Sequence, residues 1–156
     1  MIGKTRRGGF TLLEVLVVVL IVGLLGAAGT YGLCLSRAMN RDAKRLSDVS
    51  VIRAALTQYW LQSASYPTAQ EYIDVGRASA STHRLTSSGF TGTDAASSAV
   101  LLSRVPIGPR TNEYYGYRGS VHGYSLRFIT ERETVYGPAG TWYAHSNGVD
   151  GEDATK

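Results

Sequence analysis

The chain has 156 residues and a formal charge of +4, with 16 basic and 12 acidic residues. This length suits one domain with an appendage, and the single cysteine, Cys34, excludes an intramolecular disulfide and a cysteine-based metal site. Three basic residues lie within the first seven positions (Lys4, Arg6 and Arg7), so the rest of the chain is nearly neutral. Its net charge therefore gives little support to nucleic-acid binding.

An apolar segment follows this basic leader and carries no charged residue from Val15 to Leu35. About 20 apolar helical residues cross a hydrocarbon layer about 30 Å thick. Lipid offers no partners to free backbone groups, so the segment is predicted to be a transmembrane helix. The leader is expected to stay in the cytoplasm, with the C-terminal part on the far side. Basic residues after the span favour the opposite orientation: Arg37, Arg41, Lys44 and Arg45.

Glu14 is an acid close to the start of this apolar segment. A charged side chain at the centre of a membrane helix costs about 2.5–3.5 kcal/mol, and one near the end costs less but still needs a partner. A cut between Gly9 and Phe10 would create an amine at Phe10, four residues before Glu14 and on the same helix face. The spacing predicts that Glu14 neutralises this amine, in its own chain or in a neighbour. A carboxylate that stays among lipid headgroups is the simpler alternative.

The stretch Arg7-Gly8-Gly9-Phe10-Thr11-Leu12-Leu13-Glu14 resembles the class III leader of type IV pilins and pseudopilins. The resemblance implies that a prepilin peptidase cuts after Gly9 and N-methylates Phe10, and that Glu14 guides assembly into a helical filament. The implied partners are inner-membrane assembly machinery, membrane lipid before assembly, and further copies or other pilin-like subunits. Nucleic acid would be a partner only of a DNA-uptake pilin.

The expected fold is α+β and pilin-like, with a long N-terminal helix on a small antiparallel sheet. The expected parts are a leader (1–9), a transmembrane or filament-core helix (10–35), an amphipathic helix (36–65) and a globular head (66–156). Helical spacing predicts an apolar stripe made of Leu46, Val49, Arg53, Leu56 and Trp60, widened by Ile52, Ala55 and Tyr59. The opposite side is assigned Arg41, Asp42, Lys44, Arg45 and Asp48, and Pro67 marks the helix end.

Beyond Pro67, the sequence predicts a short helix over 68–75 and a connecting loop of little order over 77–98. Strand signals then follow at 99–102, 114–118, 124–130 and 141–144. They predict an antiparallel meander of about three strands, one face of which buries Leu56 and Trp60. In the 124–130 strand, alternation places Tyr124, Leu126 and Phe128 on one face.

Residues 146–153 carry three acids, Asp150, Glu152 and Asp153, among the hard oxygen donors that calcium prefers. Major pseudopilins of type II secretion are similar in having a Ser-Asn-Gly-x-Asp-Gly segment in a calcium-holding loop. The spacing does not match an EF-hand loop, and little chain remains to close a site. The preferred prediction is therefore a solvated, disordered tail and no cofactor, with calcium on these three acids as the alternative.

The sequence contains no recognisable catalytic constellation. His83, His122 and His145 are scattered, and no Ser or Cys lies in a nucleophile motif, so the histidines are predicted at the surface or in turns. The chain is predicted not to be an enzyme but a structural subunit of a type IV pilus-like filament, anchored in the inner membrane and then periplasmic or extracellular. The alternatives are a pseudopilin of type II secretion or DNA uptake, or a binding protein or enzyme with an uncleaved anchor.

Overall fold

The computed structural model describes residues 9–92 and 98–156. Residues 1–8 of the predicted leader and residues 93–97 of the predicted connecting loop lie outside the described residues. The chain divides into two structural units, the first ending at Arg37 and the second comprising Ala38–Lys156. One helix, α1 (Leu12–Ser63), contributes residues to both units.

The first part of α1 is long and apolar enough to cross a membrane, by length and composition. The most apolar 18-residue window has no buried residue within the chain. The helix is uninterrupted through four glycines at every third position: Gly23, Gly26, Gly29 and Gly32. A Cβ at any of these four positions would meet no heavy atom within 4 Å. This helix surface therefore has no packing partner among the described residues of the chain.

The second part of α1 buries one face on the head, as predicted. Five of the eight residues of the predicted stripe are buried, among them Ile52 and Leu56, whereas Trp60, which was predicted to be buried, is 44% exposed. Asp42 and Arg45, which were assigned to the opposite side, extend the buried face toward the N-terminus. The buried residues of this face are Asp42, Arg45, Val49, Ile52, Ala55, Leu56 and Tyr59.

The end of α1 agrees with the prediction at Pro67 to within a few residues. The helix ends at Ser63. Ala64 then adopts a left-handed conformation, with a φ of 50°, and its N–H donates to the carbonyl of Trp60 at 2.8 Å. This is a hydrogen-bonded helix C-terminus of the αL type, which turns the chain away before Pro67.

The main sheet has five antiparallel strands rather than about three. In spatial order they are β1 (Ala69–Val75), β5 (Tyr115–Gly119), β6 (Tyr124–Thr130), β7 (Gly140–Ala144) and β8 (Val149–Asp150). The three central strands match predicted ones. The prediction of a helix over 68–75 is wrong, because Ile73 pairs with Tyr117 and Val75 with Tyr115. Helix-prone residues at the start of this segment favoured a helix, and pairing with a neighbouring strand overrides that local preference.

A second, three-stranded sheet lies in the segment that was predicted to be a loop of little order. Its order is β3 (Gly89–Thr91), β2 (Arg84–Thr86) and β4 (Val100–Leu102), and a 3₁₀ helix (Ala78–Ala80) precedes it. Of these strands, only β4 was predicted. Leu85 of β2 is fully buried, and Phe90, Leu101 and Leu102 also pack against the core, so contacts with the rest of the head stabilise strands β2 and β3, which are too short to be recognised in the sequence.

Buried tyrosines form much of the core between α1 and the main sheet. The hydroxyl of Tyr115 donates to Asp48 of α1 at 2.8 Å, and that of Tyr117 donates to the carbonyl of Pro67 at 2.7 Å. The Tyr124 ring meets Tyr66 edge-on, with 4.9 Å between centroids. Burial raises the pKa of Tyr115 and Tyr117, so these phenols stay neutral and donate.

Candidate functional site

The N-terminus of α1 carries its own cap. Thr11 Oγ1 accepts a hydrogen bond from the backbone N–H of Glu14 at 3.3 Å. Thr11 and Glu14 occupy the first and last positions of the Ser/Thr-x-x-Glu pattern of a capping box. The cap satisfies an N–H group that has no partner within the helix. It also sets the start of the helix at Leu12, two residues after Phe10, which is the residue predicted to follow the cut.

Gly9 and Phe10, the predicted cleavage and methylation residues, precede this cap and are exposed. Phe10 is 81% exposed, and a Cβ at Gly9 would meet no heavy atom within 4 Å. The peptide bond that joins them therefore lies outside the helix, where no helical hydrogen bonds would have to break before a peptidase could bind it.

Glu14 is in the first turn of α1 and its side chain is exposed. Phe10 and Glu14 line the same shallow depression, together with Val15, Val18 and Val19. Phe10 and Glu14 thus lie on one side of the helix start. The partial positive charge of a helix N-terminus favours a carboxylate there. Between residues 9 and 92 and from 98 onwards, no ion pair involves Glu14.

A second concentration of charge lies in the head and was not predicted. The Arg45 guanidinium, fully buried, donates from Nε and Nη2 to the two carboxylate oxygens of Glu113, at 2.6 and 2.9 Å. Its Nη1 lies 2.7 Å from Asp42 and 2.8 Å from Glu131. Hydrogen bonds, chiefly to Glu113, raise the pKa of Arg45 against the effect of burial. Removing one partner of a buried charge cluster typically costs about 3–5 kcal/mol.

Glu131, just after β6, completes this cluster. Arg41 donates to it from Nε at 2.8 Å and from Nη2 at 2.5 Å, and Arg110 donates at 2.7 Å. The backbone N–H of Glu131 donates to Asp42 at 3.0 Å. The arginines, Arg41 first, hold the pKa of Glu131 well below its usual range. Three arginines thus face three carboxylates, and they fasten the segments that follow β4 and β6 to α1.

The sequence contained a signal for this cluster. Asp42 lies three residues before Arg45, and Arg45 lies four residues before Val49. This spacing continues the buried stripe of α1 toward the N-terminus. Their charge led to the prediction that they lie on the solvent side. That prediction is wrong, because acidic groups after β4 and β6 neutralise Arg45 and allow its burial.

His145 lies in the turn between β7 and β8, within the prediction of a surface or turn position, but its side chain is fully buried. Its Nδ1 lies 3.0 Å from the carbonyl oxygen of Tyr124, and its Nε2 lies 3.1 Å from Asp150 Oδ1. Both neighbours are hydrogen-bond acceptors. His122 is exposed and His83 half-buried, and the three histidines lie in three separate connections between strands.

The acidic tail is exposed over residues 151–153, as predicted for a solvated segment, but its acids make defined contacts with the head. Its first acid lies in β8, which pairs with β7. Asp150 and Glu152 both contact Lys156 Nζ, at 2.8 and 2.5 Å, and Asp153 contacts Arg118 Nη2 at 2.7 Å. The hydrogen bond from Lys156 is the main cause that lowers the pKa of Asp150 to about 2. The prediction of disorder is wrong because it took no account of cations that face these acids from elsewhere in the fold.

The three acids that were candidates for calcium do not fit that ion in this arrangement. Calcium takes six to eight oxygen ligands at about 2.3–2.6 Å. Here the carboxylates of Asp150 and Glu152 converge on the ammonium of Lys156, and Asp153 faces Arg118 instead. Among residues 9–92 and 98–156, no group of three or more His, Cys, Asp or Glu side chains is placed to hold a metal.

Comparison with known proteins agrees with the geometry of the N-terminus. Residues 4–30 match the family model of the prokaryotic N-terminal methylation motif. The type II secretion system core protein G of Aeromonas hydrophila is 37% identical over 71 residues, 46% of this chain and 50% of that protein. The protein of the same name from Pseudomonas aeruginosa is 34% identical over 76 residues, again 46% of this chain and 50% of that protein. The one from Escherichia coli K12 is 32% identical over 69 residues, 44% of this chain and 48% of that protein.

The chain thus spans about half the length of the curated relatives it matches, and no solved structure gives a significant match. The motif match covers the predicted cleavage residues and the cap residues, and the fold joins one long N-terminal helix to antiparallel sheets. The N-terminal part of the chain is therefore similar to type IV pilins and type II secretion pseudopilins.

Proposed function

We propose that the chain is a structural subunit of a pilus-like filament. The observation that carries this proposal is an exposed apolar helix surface that begins directly behind a cap, with Phe10 and Glu14 on one side of the helix start. A surface of this kind needs lipid or other apolar helices around it. In the proposed sequence of events, the chain is first inserted in the membrane through this helix. It is then cut after Gly9, N-methylated at Phe10 and transferred into a filament.

Filament cohesion would come from packing between copies of α1. The glycines at positions 23, 26, 29 and 32 have open space around them, so neighbouring helix backbones can approach closely there. Each incoming subunit would present Glu14 to the Phe10 amine of a docked subunit. Such an ion pair is stronger in a low dielectric than in water, and a lone charge there is costly. Glu14 would therefore set the axial register of the added subunit.

A second candidate function is that of a pseudopilin, in which the filament remains in the periplasm and serves protein secretion. It is supported by the names of the relatives, which are type II secretion system core proteins. Both candidates require the same cleavage, methylation and helix packing. They differ in the process that fails when the gene is deleted: loss of surface filaments favours a pilus, and loss of protein export with unchanged surface filaments favours a pseudopilus.

The substitution Glu14→Leu tests the filament proposal. It removes the acid and makes the span more apolar, so membrane insertion should be retained and processing should be largely unaffected. Assembly should fail or slow, because the new amine lacks its partner. The assay is electron microscopy of sheared fractions, together with the amount and mass of the mature chain in membranes. Glu71→Leu, which removes an exposed acid of β1, is the matched control and should assemble as wild type.

Two outcomes would contradict the proposal. Glu14→Leu filaments of normal length and number would show that this acid does not determine assembly. A native chain that keeps residues 1–9 and never enters a filament, with its assembly machinery present, would favour a protein with an uncleaved anchor.

A further inference from the structure

We propose that the ammonium of Lys156 takes the place of a metal ion in the acidic loop, here defined as residues 146–153, so that the loop holds its structure without calcium. Lys156 Nζ lies 2.8 Å from Asp150 Oδ2 and 2.5 Å from Glu152 Oε2. One positive charge thus bridges two carboxylates that would otherwise repel each other. An ammonium supplies three donors and needs no shell of six to eight oxygens, which suits a loop of this length.

The position of Lys156 is set by its backbone as well as by its side chain. Its backbone oxygen accepts hydrogen bonds from Ser146 Oγ at 3.1 Å and from the N–H of Tyr124 at 3.3 Å. A Cβ at Gly123 would lie 2.6 Å from the carbonyl carbon of Lys156, so only glycine permits this close approach. Lys156 is therefore held at the start of β6 while its side chain reaches the acidic loop.

Both carboxylate oxygens of Asp150 already have partners within the protein. Its Oδ1 accepts the backbone N–H of Glu152 at 2.9 Å and lies 3.1 Å from His145 Nε2. Its Oδ2 faces Lys156, and the third acid, Asp153, is paired with Arg118 and accepts from the hydroxyl of Tyr72. A calcium ion would have to displace Lys156 and compete with these donors, because each carboxylate of the loop already has a cationic partner.

The test is thermal unfolding of the full chain in detergent micelles, followed by near-ultraviolet circular dichroism of the buried tyrosines. Each variant is measured with EGTA and with about 1 mM calcium, a concentration that fills most extracellular calcium sites. Wild type should have the same Tm in both. Lys156→Met should lower the Tm by about 2–5 °C in EGTA, as for a partly exposed ion pair, and calcium should raise it again. Lys156→Arg, which keeps the cation, should behave as wild type.

Lys44→Met is the matched control, because Lys44 also pairs with a carboxylate four residues away, Asp48, at 2.5 Å. It should lower the Tm without creating a calcium response. A rise in the wild-type Tm with calcium would overturn the proposal, and so would the absence of any calcium response in Lys156→Met. If Lys156→Met does not fold, calorimetric titration decides: wild type and Lys156→Arg should take up no calcium, and uptake by either contradicts the proposal. These readouts use the unassembled chain and do not depend on filament formation.

Discussion

Glu131 illustrates how single residues join the head to α1. Its carboxylate accepts hydrogen bonds from Arg41 and Arg110 and lies 2.8 Å from Arg45. These arginines favour the ionised form, so the pKa of Glu131 is lower in the folded chain than in the unfolded one. The folded state thus binds this proton less tightly than the unfolded state does. The contribution of Glu131 to stability is fully present above the pKa that a glutamate has in the unfolded chain, about 4.3. It is lost as the pH falls through the pKa of Glu131 in the folded chain.

Acid titration of stability should therefore depend on Glu131. We expect the wild-type Tm to fall as the pH is lowered from about 5 to about 2, the interval below the unfolded pKa of a glutamate. Glu131→Gln should be less stable than wild type near neutral pH, and the difference should shrink at low pH, where Glu131 of the unfolded wild-type chain becomes protonated. Calorimetry over a pH series measures this. Glu71→Gln, at an exposed acid, should follow wild type, and a difference between wild type and Glu131→Gln that does not vary with pH would contradict the prediction.

At the scale of the element, α1 combines two different surfaces in one continuous helix. Its first part exposes apolar side chains on all sides, whereas its second part buries one face centred on Ile52 and Leu56. Asp42 and Arg45 continue the buried face toward the N-terminus, where they bond to segments that follow β4 and β6. Trp60 lies 18 residues after Asp42, which is five full turns and the same side of the helix, and it is exposed near the C-terminal end of α1.

Substitutions at a buried and at an exposed position of the predicted stripe should lower the free energy of unfolding by different amounts. Leu56→Ala should lower the free energy of unfolding by about 2–5 kcal/mol, because it leaves a cavity in a closed core. Trp60→Ala should cost clearly less, because 44% of Trp60 is exposed and the lost area is partly hydrated already. Urea denaturation of both variants measures the difference. Equal losses for the two would show that Trp60 lines the core after all.

At the scale of the whole molecule, the chain combines a unit with no buried core and a unit with a closed one. The buried residues of the chain all belong to the unit Ala38–Lys156, as far as residues 9–92 and 98–156 are concerned. The apolar surface of the other unit can be satisfied only by lipid, detergent or further subunits. The exposed apolar part should therefore be separable from the folded part.

A chain that begins at Ser36 should be soluble, folded and monomeric without detergent. It loses the exposed apolar surface and keeps the buried face of α1 under the sheet. Size-exclusion chromatography with light scattering gives its mass, and circular dichroism gives its fold. The full chain, as the control, should need detergent to remain monomeric. Aggregation or loss of fold in the shortened chain would show that residues before Ser36 contribute to folding of the head.

Local patterns in the sequence were sufficient wherever one segment determines its own structure. The uncharged run after Glu14 predicts the helix, whereas the cap formed by Thr11 was not predicted. The alternation in 124–130 predicts β6 with its buried face. Each of these features depends on residues within a few positions of one another, so propensity and periodicity reveal them without knowledge of the rest of the fold.

Tertiary structure decided the features that depend on a partner distant in the chain. β1 became a strand because β5 offers it an edge, and Arg45 became buried because Glu113 neutralises it. The acidic tail became ordered because Lys156 and Arg118 face it. A charge is costly to bury alone and acceptable when paired, and a short strand is stable only when it is hydrogen-bonded to a neighbour. Sequence alone therefore determined the long helix and its processing motif, and only the tertiary structure decided which charged and strand-forming residues found partners.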